Sequence, residues 1–353
     1  MVENRATIGN SHTIIHIAAG LLAVVALTIT ACGTESDGGR GNAQKSQSDN
    51  PGLRFAGTYR VDFAVKSVNG APPRAENGSA TGTFTWFVQS TCDGPGNTCV
   101  AVAAAAAPDP QRPLNLDRMK FVFENNSWTR VFVPNRRECI SNATKQPVSE
   151  PWVAMHTTTL ATPSGTGPLA TLTGTYSSLQ GGTCGGEAVG DLTLTRTGDV
   201  PAGTAAPADT VAPAVVADPP GRTWRGTYNA STKPVSASSP SFMSAVTPGT
   251  ERFSVAPVCT RTGDACVAPL RYPGKGSVFV YSFVNGGYER SYISTSVNCT
   301  NGQTGYIRRS SRYTAAPDAS SPAGVMTNRE TVEFLGGCPG SVRIEGTAIR
   351  TGD

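Results

Sequence analysis

The chain has 353 residues, room for two domains of ordinary size. Its 39 glycines and 26 prolines make up roughly 18% of the chain against a usual ~12%, while charged residues are only 15%. That composition excludes a fold of long amphipathic helices and suits short strands joined by many turns. The formal charge of +4 is unevenly spread: 12 basic and 11 acidic residues between Arg54 and Asp199, 14 basic and 8 acidic between Arg222 and Asp353. The second half could steer anionic partners, although a solubilising surface explains the same bias.

Residues 13–31 form an apolar run that ends in small side chains, as the core of a secretory signal does. Ile29-Thr30-Ala31-Cys32 resembles the bacterial lipobox, whose cysteine thiol takes diacylglycerol and becomes the first mature residue. Residues 1–31 are therefore expected to be a lipoprotein signal, and Cys32 the lipid attachment that anchors the chain to the outer face of the cytoplasmic membrane. A plain transmembrane anchor is the alternative, since nearly 20 apolar residues could span a bilayer. Residues 32–53 have almost no apolar side chain and read as a flexible tether.

Nine cysteines is an odd number, and Cys32 removes the odd one. The other eight fall into two sets, Cys92, Cys99, Cys139, Cys184 and Cys259, Cys266, Cys299, Cys338, each opening with a seven-residue step. Gly57-Thr58-Tyr59 recurs as Gly226-Thr227-Tyr228, Cys99-Val100-Ala101 as Cys266-Val267-Ala268, and Arg196-Thr197-Gly198-Asp199 as Arg350-Thr351-Gly352-Asp353. A fixed order of so many landmarks marks a duplication. Its copies are expected at 54–199 and 222–353, joined by an Ala/Pro-rich linker over 200–221. Four cysteines allow three connectivities per copy. The favoured one joins Cys92 to Cys99 and Cys259 to Cys266 across turn-rich hexapeptides, leaving Cys139–Cys184 and Cys299–Cys338 as the long-loop bridges.

Along each copy the apolar runs are short and alternating. Phe84, Trp86 and Val88 share one face, as do Trp128, Arg130 and Phe132, while residues 277–284 are apolar on both faces. Turns such as Asn69-Gly70 and Asn285-Gly286 separate the runs. The expected fold is all-β: two tandem disulfide-braced antiparallel β-barrel or β-sandwich domains. Gly-Thr-Tyr on a first strand with Arg196 or Arg350 on a last one resembles the calycin arrangement, in which Gly-x-Trp packs against a late arginine; here Tyr replaces Trp, although Trp224 sits just ahead of the second copy. That likeness implies a barrel and, by analogy, a cavity for an apolar ligand.

Gly-Thr-Tyr, the aromatic run before Cys92, Cys99-Val-Ala, Trp128, Thr183-Cys184-Gly185 and the closing Thr-Arg-Thr-Gly-Asp together resemble a four-cysteine extracytoplasmic domain. That domain belongs to mycobacterial and other actinobacterial lipoproteins and also stands outside some membrane Ser/Thr kinases. The second copy departs from it with Tyr288 for Trp128 and Cys338-Pro339 for Cys184-Gly185. The resemblance implies a location and no particular activity.

Catalytic groups are scarce. After the signal the chain has a single histidine, His156, expected on an exposed strand, and no Gly-x-Ser-x-Gly, His-Glu-x-x-His or Walker motif. Glu330 and Glu333 sit three residues apart in a strand, which puts them on opposite faces. No enzyme activity, cofactor or metal is expected. For binding, Tyr306, Arg308, Arg309 and Arg312 form the best cluster; alternation places Tyr306, Arg308, Ser310 and Arg312 on one face, where arginine with tyrosine suits phosphate or sugar. A charged edge face that discourages aggregation is the alternative reading. The expected function is non-catalytic: binding or sensing an extracytoplasmic protein, lipid or glycan partner, or else carrying a lipid or glycolipid in a barrel cavity. Nucleic acid is not expected as a partner.

Overall fold

The structure is a computed structural model that describes residues 51–73, 81–92, 98–105, 119–133, 154–181, 186–202, 204, 212, 214–244, 246–274, 277–293, 297–298, 302–316 and 321–353. The expected signal, almost all of the tether, and Cys32, Cys139, Cys184 and Cys299 lie outside the described residues.

The first copy forms β1 (Gly57–Val68), β2 (Thr81–Cys92), β3 (Cys99–Ala105), β4 (Met119–Glu124), β5 (Ser127–Phe132), β6 (Ala154–Ala161), β7 (Thr171–Gln180) and β8 (Gly186–Gly198). Each strand pairs antiparallel with the next, and β8 pairs with β1, so the sheet closes into a barrel. The second copy forms β9 (Gly226–Ala237), β10 (Gly249–Val255), β11 (Val258–Cys259), β12 (Cys266–Arg271), β13 (Val278–Val284), β14 (Gly287–Ile293), β15 (Val297–Asn298), β16 (Thr304–Ala315), β17 (Val325–Gly336) and β18 (Gly340–Gly352). Here β18 pairs with β9, and Ser254 and Val255 of β10 pair with Arg271 and Leu270 of β12, closing a second eight-strand ring to which β11 and β15 are short additions. Barrel, rather than sandwich, is the architecture of both copies. Asn69-Gly70 and Asn285-Gly286 adopt the positive φ that tight hairpins need, as does Asn125-Asn126, where no glycine marks the turn.

One end of each barrel is shut by the same device. A 3-10 turn, Pro51–Arg54 or Pro220–Arg222, runs over the cross-strand disulfide Cys92–Cys99 or Cys259–Cys266, whose α-carbons are 4.0 and 4.1 Å apart. Glycine is required where it crosses: a Cβ on Gly52 would lie 1.9 Å from the Cys99 sulfur, and one on Gly221 2.3 Å from that of Cys266. The repeated Pro-Gly therefore belongs to each module, and the first module begins inside the stretch expected as tether. The turn then drops Phe55 or Trp224, both fully buried, into the barrel end. Phe55 packs 5.2 Å from Trp128, and Trp224 packs 5.0 Å from Tyr288. The larger ring sits on the strand in one barrel and on the plug in the other, so the substitution of Tyr288 for Trp128 keeps the packed volume.

Hydrogen bonds repeat around this plug. The Tyr59 hydroxyl donates to the Leu169 carbonyl (3.1 Å) and that of Tyr228 to the Ala323 carbonyl (2.8 Å). The Leu169 N–H donates back to Arg54 O, and the Ala323 N–H to Thr223 O. Arg196 and Arg350 cap the ends by donating to the Ala56 and Arg225 carbonyls and pairing with Asp199 and Asp353. Burial raises the pKa of Tyr59 and Tyr228 to about 12, so both hydroxyls stay protonated as donors. The calycin-like motif thus builds a floor for each barrel.

The two barrels touch along an apolar seam. Val278 and Val280 point out of the second barrel and pack with Val267 against Met155 and Leu179 of the first, which explains why residues 277–284 are apolar on both faces. Arg261 pairs with Glu124, and Arg271 with Glu187, which is only 6% exposed. Arg271→Ala should strand that carboxylate in the seam and cost about 2 kcal/mol. Thermal unfolding should show a lower Tm, with Glu187→Gln added to Arg271→Ala costing less than the two changes summed; a neutral Arg271→Ala would mean the pair does not hold the seam.

Candidate functional site

Burial of the large lumenal side chains of the first barrel is graded. At the floor, Tyr59, Val61, Phe121, Trp128, Leu160, Leu172 and Leu194 are at most 1% exposed. Towards the opposite end the inward-facing Phe63, Met119, Phe132, His156 and Tyr176 are only half-buried, and Phe84 is 37% exposed. Glycines make room for the larger rings there: a Cβ on Gly82 would fall 2.2 Å from the Phe63 ring, and one on Gly190 2.4 Å from that of Tyr176. At this end the described residues line the lumen with aromatic rings and with the buried Ala154, Thr158 and Ala188.

Arg130 lies in that mouth. It follows Trp128 by two residues on β5 and so faces inward, with its guanidinium 4.6 Å from the centre of the Phe132 ring. Among the described residues nothing accepts a hydrogen bond from it or lies within ion-pair distance. Its nitrogens are not sealed from solvent, yet enough protein surrounds it that desolvation lowers its pKa to about 10. An arginine inside a barrel without an anion is costly, because burying an unpaired charge is not offset by packing alone.

The second barrel shows how such a charge is neutralised. Strand register aligns the row Arg130–Thr158–Tyr176 across β5, β6 and β7 with Arg290–Ser311–Glu330 across β14, β16 and β17. Arg290 stacks over Tyr292 and Phe279 at 4.0 and 3.9 Å, as Arg130 does over Phe132. Where the first barrel has Tyr176, the second has Glu330, which pairs with Arg309 at 3.3 Å and interacts electrostatically with Arg290. The mouths differ too. Ile307, Val332, Phe334, Val342 and Ile344, with Phe242 of a short helix (Pro240–Ser244), fill the second; the matching positions of the first are Ala154, Ser178, Gln180, Ala188 and Gly190.

The sequence-predicted cluster is divided by the strand. Tyr306, Arg308 and Arg312 point outwards from β16, whereas Arg309 faces the lumen. Arg308 pairs with Glu333 at 3.6 Å and Arg312 with Glu289, so the cations facing outwards are engaged by neighbouring carboxylates. Glu330 and Glu333 are on opposite faces, as the three-residue step requires. His156 departs from expectation: it faces the lumen, 6.2 Å from the Phe132 ring, because it shares the parity of Leu160 and Thr158. Cys338 is disulfide-bonded as well, to a partner outside the described residues. No group of acidic, His or Cys side chains among the described residues could hold a metal, and none of their helices is long and apolar enough to cross a membrane. A groove beside the floor, between Arg54 and Arg196, has both cations engaged by carbonyls and Asp199.

Alternation along the sequence puts Arg130 on the Trp128 face and gives it no role. The usable signal is its repetition: Trp128-x-Arg130-x-Phe132 returns as Tyr288-x-Arg290-x-Tyr292.

Residues 51–211 match the PknI serine/threonine-protein kinase sensor domain. The match spans the first barrel from its Pro-Gly turn and does not extend to the second. A search of curated proteins finds no match. Among solved structures, the monomeric form of the M. tuberculosis PknI sensor domain is 16% identical, covering 43% of this chain and 94% of that one with a TM-score of 0.32. A protein of unknown function from the DUF3598 family, from Nostoc punctiforme, is 8% identical, covering 85% and 98% with a TM-score of 0.19. At these scores neither superposition carries weight for ligand or partner.

Burial raises the pKa of Glu330, Arg309 and Arg290 pull it back down, and Glu251 adds to the rise. The folded chain therefore holds this proton more tightly than the unfolded one. That stabilisation is complete below the unfolded value of ~4.3 and is lost as pH rises through the higher folded value. Glu330→Gln cannot ionise, so its stability relative to the parent should climb across that window in urea unfolding and then level. An opposite slope would mean that the arginines outweigh burial.

Proposed function

We propose that the chain is a non-catalytic, lipid-anchored sensing module of the cell envelope, exported and held at the outer face of the cytoplasmic membrane through Cys32. The match of residues 51–211 to a kinase sensor domain carries this reading. It is supported by the signal-like run before Cys32 and by disulfides, which persist in oxidising compartments. Among the described residues the inward-facing Arg130 of the first barrel has no counter-charge, which favours a ligand held inside it over one on the outer wall, where Arg308 and Arg312 are already paired. The filled second barrel serves as support along the seam.

In a host that processes lipoproteins, radiolabelled palmitate should enter the chain and be absent from Cys32→Ala, which should also leave the membrane fraction. Label retained by Cys32→Ala would overturn the anchor. Turnover of cell-wall glycans by the purified chain would overturn the non-catalytic assignment.

A further inference from the structure

A groove of about 400 Å³ lies beside the floor of the first barrel, lined by Leu53, Ala56, Pro168 and Val200 together with Arg54 and Arg196. Arg54 is only 9% exposed. Its Nε donates to Gly167 O at 2.7 Å and its Nη1 to Pro163 O at 3.3 Å, both carbonyls of the loop between β6 and β7. Those acceptors are neutral, and among the described residues no carboxylate lies within ion-pair distance of Arg54. Its Nη2 donates to no described group and stays open to solvent. The carboxylate at this groove, Asp199, pairs with Arg196 and is 92% exposed. Two guanidinium groups thus share one loosely held carboxylate, in a recess whose other walls are largely apolar.

The second copy lacks the buried cation. Its turn Pro220-Gly221-Arg222-Thr223-Trp224 aligns with Pro51-Gly52-Leu53-Arg54-Phe55, so Thr223 stands where Arg54 does. The Thr223 hydroxyl donates to Pro220 O, and Arg350 pairs with Asp353. Arg225, at the place of Ala56, is exposed.

We infer that the groove of the first barrel binds a small molecule with one oxyanion, a carboxylate or a phosphate monoester, held between Arg54 and Arg196 with its apolar part against Leu53 and Pro168. The ligand takes the place of Asp199 on Arg196 and brings its charge to Nη2 of Arg54. Arginine offers a planar fork of donors to such an oxyanion, and a mostly buried guanidinium binds it more strongly than an exposed one. Displacing Asp199 costs little, because a pair whose carboxylate is this exposed is weak. The site lies outside the lumen and does not depend on what the barrel holds inside.

The test titrates the full chain, in a maltoside detergent, with 4-fluorobenzoate followed by 19F NMR and with phenyl phosphate followed by 31P NMR. Saturable binding of one molecule per chain is expected for at least one of the two probes, and the tighter one tells which oxyanion the arginines prefer. Arg54→Gln should weaken that binding about tenfold. Asp199→Asn should instead tighten it about threefold, because the competing carboxylate is gone. Asp353→Asn, the same change in the second copy, should leave it unaltered. The gain in Asp199→Asn is a readout that a purely structural Arg54 would not give, and it does not require the Arg54→Gln variant to fold. Binding of neither probe, binding no tighter in Asp199→Asn, or a gain in Asp353→Asn would overturn the site. So would 4-fluorobenzyl alcohol bound as well as 4-fluorobenzoate, since the apolar walls and not the arginines would then hold the probe.

Discussion

Both modules depend on an aromatic plug driven into one end of a barrel and locked there by a tyrosine. Eight short strands give little reason for a sheet to stop at one radius unless its interior is filled to a fixed volume. Phe55 with Trp128, and Trp224 with Tyr288, supply that filling. The Tyr59 and Tyr228 hydroxyls then tie the first strand to the segment before β7 or β17, which in turn donates back to the plug. Because the disulfide lies beneath the same turn, covalent bracing, core packing and barrel closure meet at one place. The Pro-Gly turn, the Gly-Thr-Tyr strand and the closing arginine are all parts of that one joint.

With the floor fixed, the opposite end of each barrel is free to vary, and there the copies have diverged. The second has become a solid body, filled by branched side chains and with its lumenal arginines facing a carboxylate. The first has kept the arginine without the carboxylate and has small or polar residues where the other has bulk. The seam through Met155, Leu179, Val278 and Val280 joins the two barrels.

Much of this is legible in the sequence. Cysteine spacing, Gly-Thr-Tyr and Thr-Arg-Thr-Gly-Asp mark the duplication, and alternation groups Phe84 with Trp86 and Trp128 with Arg130 on shared faces, because a strand has only two sides. The two-sided apolar run at 277–284 reads as buried; that its second face meets another barrel takes tertiary contacts to see. The functional site is harder for a related reason. Tyr306, Arg308 and Arg312 look like a binding face because the carboxylates of Glu333 and Glu289 come from β17 and β14, and pairing across strands is invisible along a chain. Arg130 looks ordinary because its distinction lies in what stands opposite it, and only the register against Glu330 in the sister barrel exposes that. His156 reads as outward-facing because a Thr-rich run resembles a solvent face, whereas its parity follows Leu160.

Among the described residues the two lumens differ in charge, and anomalous diffraction from crystals soaked in bromide reads that difference. A bromide peak is expected against the Arg130 guanidinium in the first barrel and none beside Arg290. Equal peaks in both lumens, or a peak only in the second, would contradict it.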